Sequence, residues 1–316
     1  MRASFRRKMK IFLVTGCLVF VLTQMNVNAF ADSPVIIDHT CTDLSRIPDT
    51  WLEQAKLLTL HYAHTSHGSQ ITSGIACLES QHTEYSVVVR SGATEGLPPE
   101  EDPSALRVYD GNPPETYIEP NDYWYGTAGQ DRTKAVADTG NYDFSMWSWC
   151  GQVSTAGESY IQDYLETMAQ FETGYPDMRF IYMTGHLDGS GSSGNLHIRN
   201  EQIRTYCIAN NKILFDFADI ERYDPDGTDY LDLGATDNCD YSGGNWAIEW
   251  CNANPGSDLC VSCSCAHSQP LNCNLKARAF WWMMARLAGW DGTEESSGDN
   301  GEEGGGGCFA ETARLR

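Results

Sequence analysis

The stretch Leu57-Leu-Thr-Leu-His-Tyr-Ala-His-Thr-Ser-His-Gly-Ser-Gln70 passes from an apolar, β-rich run into a polar turn and then into residues that start a helix. Leu57 to Ala63 reads as a strand, and "HGSQITSGIACLES" (residues 67–80) supplies the helix that follows. A strand feeding a helix through a short polar turn is the opening half of a βαβ unit, so this stretch sets the expectation of a parallel sheet covered by helices.

The same alternation continues. Tyr85 to Arg90, Met146 to Trp149, Arg179 to Thr184 and Ile213 to Phe217 read as four further strands. Between them, Ser159 to Phe171 carries Ile161, Tyr164, Leu165, Met168 and Phe171 at helical spacing, and Leu196 to Ala209 carries Ile198, Ile203 and Ile208. A last helix is expected from about Leu271 to Leu287, closed by Gly289. The expected fold class is therefore α/β, a three-layer α/β/α sandwich on a five-stranded, mainly parallel, flavodoxin-like sheet. Residues 91–139, rich in proline, glycine and aromatics, read as an insertion that either covers substrate or is purely structural.

Outside this domain, Arg2, Arg6, Arg7, Lys8 and Lys10 precede an apolar run from Ile11 to Leu22 and an Ala29-Phe30-Ala31 site. This is the pattern of a signal peptide over residues 1–31, with lipid attachment at Cys17 as the rival reading. No other apolar run approaches the roughly 20 residues that span a bilayer, so residues 32–290 are expected to form one exported domain: secreted, periplasmic or at the cell surface. From Asp291 to the end, the acidic, glycine-rich composition reads as a tether closed by "CFAETARLR". The formal charge is -22; without the five basic residues of the leader it is about -27. Such a surface disfavours nucleic acid relative to a neutral, cationic or polysaccharide partner, or else serves only to keep an exported protein soluble.

Cys17 and Cys308 fall in the leader and the tail, which leaves ten cysteines in the domain. An even number in an exported chain favours disulfides, and the dense Cys260, Cys263, Cys265, His267 cluster offers zinc as the alternative.

In a parallel sheet the functional groups gather at the carboxyl ends of the strands. The loops there carry "HTSHGSQ" (64–70), "CGQ" (150–152), "TGHLDG" (184–189) and "FADIERYDPDG" (217–227). Ser66, just past a strand and ahead of a helix, is the candidate nucleophile, or else a helix cap. His267, in a cysteine-pinned loop before the last helix, is the candidate base, with His186 second; otherwise it packs against its cysteine neighbours. His61, His64 and His67 offer zinc ligands. Asp224, Asp226 and Asp229 carry enough carboxylate for calcium without the spacing of an EF-hand. Trp281, Trp282 and Trp290 are expected in the core, and Trp124, Trp147 or Trp149 as sugar-stacking platforms.

The order of strand, H-x-S-x-G turn, glycine turn, "TGHLDG" turn and late histidine resembles the SGNH (GDSL-like) hydrolase superfamily, as a divergent exported bacterial member, over roughly Lys56 to Trp290. The resemblance implies Ser66 as nucleophile, His267 as base and Gly151 as an oxyanion donor. Leu187 stands where the family has an oxyanion asparagine, and Ser264 where it has the aspartate that orients the histidine. Gln152 or His186 would then complete the oxyanion hole, Asp188 or Asp258 would orient the base, and His64 and His67 would line the site. The reading that follows is an esterase acting on a small-molecule or polysaccharide ester without a cofactor, with two alternatives: a carbohydrate-binding or surface protein on the same fold, and a zinc-dependent hydrolase.

Overall fold

A computed structural model describes residues 33–92 and 96–293; the leader and the tail after Thr293 lie outside the described residues. Seven strands form one sheet: β1 (Val35–Ile37), β2 (Thr59–Ala63), β3 (Val87–Ser91), β4 (Leu106–Asp110), β5 (Phe144–Trp147), β6 (Arg179–Met183) and β7 (Ile213–Phe215). Their order is β1-β7-β6-β5-β2-β4-β3, and every neighbouring pair runs parallel. This corrects the expected five-stranded flavodoxin-like sheet. The two additional strands are β1, only three residues long, and β4, which lies inside the supposed insertion. A short hairpin, β8 (Asp240–Tyr241) and β9 (Gly244–Asn245), stands apart.

The helices are α1 (Asp49–Ala55), α2 (Ser69–Gln81), α3 (Gly126–Ala137), α4 (Gln152–Thr155), α5 (Glu158–Gly174), α6 (Asn195–Ala209), α7 (Phe217–Arg222), α8 (Trp246–Ala253) and α9 (Pro270–Ala288). All but α3 fall into two packed groups, α1, α2, α7 and α8 around α9, and α4 and α5 against α6, while α3 packs on the turn at Pro120–Asp122. All residues of β2, β5 and β7 are buried, as befits strands covered on both faces. Gly74 of α2 lies against α9, where a Cβ would sit 2.3 Å from the Cys273 carbonyl oxygen; glycine there lets the two helices approach.

In α6 the buried residues are Leu196, Asn200, Ile203 and Cys207, whereas Ile198 and Ile208 are 46% and 54% exposed. Of the three isoleucines read from the sequence, only Ile203 faces the core. Asn200 is inside because it clamps a loop: its amide donates to the Gly185 carbonyl at 3.1 Å and its oxygen accepts the Gly185 N–H at 2.9 Å. Trp281, Trp282 and Trp290 are buried as expected, but so are Trp124, Trp147 and Trp149, at 0%, 0% and 1% exposure. These last three interlock edge to face with one another and with Tyr164, which makes them core rather than sugar platforms.

Six cysteines form three disulfides, Cys77–Cys263, Cys251–Cys260 and Cys265–Cys273. Cys41, Cys150, Cys207 and Cys239 are free, which corrects full pairing, and the cysteines of the 260–265 cluster are engaged in three separate disulfides rather than a zinc site. Among the described residues no helix is long and apolar enough to cross a membrane.

Candidate functional site

After β2 the chain proceeds to β3 on one side of the sheet; after the adjacent β5 it proceeds to β6 on the other. Neighbouring strands whose connections diverge leave a crevice between their carboxyl ends, the place where ligands bind in open α/β sheets. The loop after β2 brings His67 there, and the loop after β5 brings Cys150. Gly68 holds the two together: a Cβ on it would lie 2.2 Å from the His64 Cβ and 2.8 Å from the Ser148 Cβ.

The His67 imidazole bridges two groups. Its Nδ1 is 3.1 Å from Cys150 Sγ, and its Nε2 is 2.9 Å from Asp237 Oδ2. Hydrogen bonding from His186 and then from His67 pulls the Cys150 thiol down from 9.0 to about 4, against the effect of burial. Burial opposes a charge on His67, yet the hydrogen bonds to Asp237 and Cys150 outweigh it and raise the ring to about 9. Burial likewise opposes the charges of His186 and Asp237. The interaction with Cys150 nevertheless raises His186, and the hydrogen bond from His67 lowers Asp237. These shifts favour a thiolate beside an imidazolium anchored by a carboxylate over the neutral range, and the thiolate is the nucleophilic form of cysteine.

Three imidazoles stack here. His186 lies 3.7 Å from His67 with the planes 4° apart, and His267 lies 4.5 Å from His67 at 15°. His186 Nδ1 is 2.9 Å from the Leu187 carbonyl oxygen, and donating there leaves its Nε2 to face the Cys150–Gly151 turn. His67 and His186 are buried, Cys150 and Asp237 are partly covered, and Gly151 and His267 are exposed, so the cluster opens to solvent on that side. The Cys150 N–H donates to Gln152 Oε1 at 2.8 Å.

The ligand atoms of His67, Cys150 and His186 fall within 4.8 Å of one another, a donor set acceptable to zinc. Ring nitrogens bind metals in the ring plane, however, and two parallel rings 3.7 Å apart aim their lone pairs side by side instead of converging. The 3.1 Å Nδ1 to Sγ contact is also shorter than the roughly 3.5 Å separating nitrogen and sulfur around a tetrahedral zinc. The arrangement is a hydrogen-bonded ion pair.

The residues expected to work together are distributed differently. Ser66 makes no side-chain hydrogen bond among the described residues; its carbonyl accepts the N–H and hydroxyl of Ser69. His267 reaches the site as the outer ring of the stack, on a left-handed backbone with φ of 60°, and is not bonded to Ser66. His64 faces Asp110 at 2.9 Å, and His61 is fully buried between Ser145 and the Gly111 carbonyl. Asp188 is taken up by Ser190, Asp258 by Arg278, and the Leu187 N–H by Glu221. Asp224 accepts the N–H groups of Asp226 and Thr228, Asp226 accepts from Trp250, and Asp229 pairs with Arg222. These carboxylates form no metal-sized group among the described residues, where the second such group is Asp38, His39 and Asp219.

Two residues were missed. Cys150 falls among the cysteines expected in disulfides, although its place just past a strand matches the signal that selects Ser66. Asp237 carries no local pattern; only the fold brings it 170 positions back to His67.

No family model, curated protein or solved structure matches this chain.

Proposed function

We propose that the protein is a thiol-dependent acyl hydrolase in which Cys150 is the nucleophile, His67 the acid and base, and Asp237 the group that orients His67. The observation that carries this reading is the His67 ring held between Cys150 Sγ at 3.1 Å and Asp237 Oδ2 at 2.9 Å, the nucleophile, base and orienter arrangement of acyl transfer. The ester substrate expected from the sequence is retained, exported esters of polysaccharides included, while the nucleophile moves from Ser66 to Cys150.

The Cys150 thiolate attacks the acyl carbon, and the carbonyl electron pair moves onto oxygen. The Gly151 N–H, next to the nucleophile, and His186 Nε2 supply the donors for that oxyanion; the nucleophile's own N–H is already engaged by Gln152. His67 gives its Nδ1 proton to the leaving alkoxide as the C–O bond breaks, which leaves a thioester on Cys150. A water then attacks the thioester carbon as His67 takes its proton, the C–S bond breaks, and acid and thiolate are restored. Asp237 remains ionised throughout and holds the imidazolium.

The test is p-nitrophenyl acetate with intact-mass detection after an acid quench. One acetyl group on the wild type, abolished by Cys150→Ala and retained by Ser66→Ala, is expected. Acetylation abolished by Ser66→Ala and retained by Cys150→Ala would overturn the reading in favour of the serine esterase. No acetylation of a folded protein would leave the binding-protein alternative.

A further inference from the structure

Beneath the triple stack lies an ion pair with no solvent contact. Lys276 of α9 and Glu221 of α7 are both 0% exposed, with Nζ and Oε1 2.5 Å apart. Lys276 also donates to Gln70 Oε1 and lies 3.6 Å from the centre of the Phe217 ring. Removing two charges from water is costly, and apolar replacements are often as stable, so stability alone does not account for the pair.

Its remaining contacts lead to the site. Glu221 Oε2 accepts the N–H of Leu187, the residue after His186, at 2.7 Å. Gln70, three residues after His67, donates from Nε2 at 2.6 Å to the carbonyl of Ala266, the residue before His267. Each of the three stacked rings is thus within three residues of a backbone or side-chain group held by one buried network.

We propose that Lys276 and Glu221 are positioning residues of the Cys150 site, a buried pair that sets the spacing of the His186, His67 and His267 rings. The proposal rests on the reading of Cys150 as nucleophile for its effect on rate, but not for its effect on the rings. The charged and titratable groups around His67 are Asp237, Cys150, His186 and His267, with Glu221 and Lys276 below. Glu221 favours the protonated forms of both His67 and His186. Its removal therefore moves the His67 titration to lower pH.

The experiment compares wild type, Glu221→Gln and Glu221→Gln/Lys276→Met by the NMR titration of the His67 ring and the acetylation rate from p-nitrophenyl acetate at pH 7. The double variant removes both charges together and so avoids the stranded ion that destabilises the single variant. The His67 titration is expected to lie below that of the wild type in both variants. The acetylation rate is expected to fall about ten- to a hundredfold, as displacements of the order of 1 Å do. A folded double variant whose His67 titration and rate match the wild type would overturn the proposal. A wild type that is not acetylated would sink the nucleophile reading alone, since the ring titration still judges the pair. Should the double variant not fold, Gln70→Ala decides: it keeps the ion pair but releases Ala266, and a loss of about threefold or more in rate with the melting temperature retained supports the proposal. An unchanged rate overturns it.

Discussion

Replacing Asp237 with Asn keeps the size of the side chain but removes the charge that holds His67. Its Oδ2 accepts from Nε2 at 2.9 Å, and its side chain is 26% exposed, so the contact is largely shielded from solvent. A hydrogen bond to a charged group contributes about 1.5–3 kcal/mol, and one pKa unit corresponds to about 1.4 kcal/mol. The His67 titration, at about 9 in the intact site, should therefore fall by about one to two units, to about 7–8. At pH 8 the imidazolium would drop from about nine-tenths of molecules to between about a tenth and a half. Ring-nitrogen NMR against pH, with His67→Ala to assign the signal, reads this directly. The sign matters as much as the size. A titration in Asp237→Asn that stays near 9, or rises, would refute the claim that the carboxylate holds the imidazolium.

Cys150 titrates near 4 in the folded chain and near 9 when unperturbed, so its contribution to stability is present at high pH and is lost as pH falls through about 4. On acidification from pH 6.5 to 4, the wild type should lose melting temperature faster than Cys150→Ala; parallel curves from calorimetry would contradict this. The Cys77–Cys263 disulfide closes a loop with a sequence separation of 186, and Cys251–Cys260 one with a separation of 9. On loop entropy, removing the first should cost about 5 kcal/mol and the second about 3 kcal/mol, measured by urea unfolding of the paired alanine variants; equal losses would count against the entropic account. Trp124→Ala should cost about 3–5 kcal/mol in the same assay because the ring is fully buried, and a loss below about 0.5 kcal/mol would favour a surface role.

The parallel α/β class was legible because long strands such as Arg179–Met183 and helices such as Pro270–Ala288 carry strong periodicity. β1 escaped because three residues are too short for a pattern to show, and β4 because prolines and glycines surround it. The face of α6 was legible only in part: Ile203 is inside as its apolar character suggests, but Asn200 is buried for its two hydrogen bonds to Gly185, a reason that periodicity does not encode. Three of the loops that hold the site, those carrying His67, Cys150 and His186, were legible from the rule that function gathers at carboxyl strand ends, while the roles given to His67 and Gly151 came from the family resemblance. The nucleophile was not legible. An even number of cysteines, in a chain read as exported, argues for pairing as a set, and that argument overrode the local signal that separates Cys150, just past a strand, from Cys77, inside a helix and paired with Cys263. The partner Asp237 is a tertiary fact, created when the segment after α7 pairs with the loop after β6 through Asp188 and Thr236.

The most direct test of the central claim is the rate of carbamidomethylation by iodoacetamide against pH, with peptide mapping of the product. The account predicts that Cys150 is labelled in the native protein and that its rate has a midpoint near pH 4. A midpoint near 8.5, the value of an ordinary thiol, would contradict it, because Cys150 would then have no imidazolium partner and no activated sulfur.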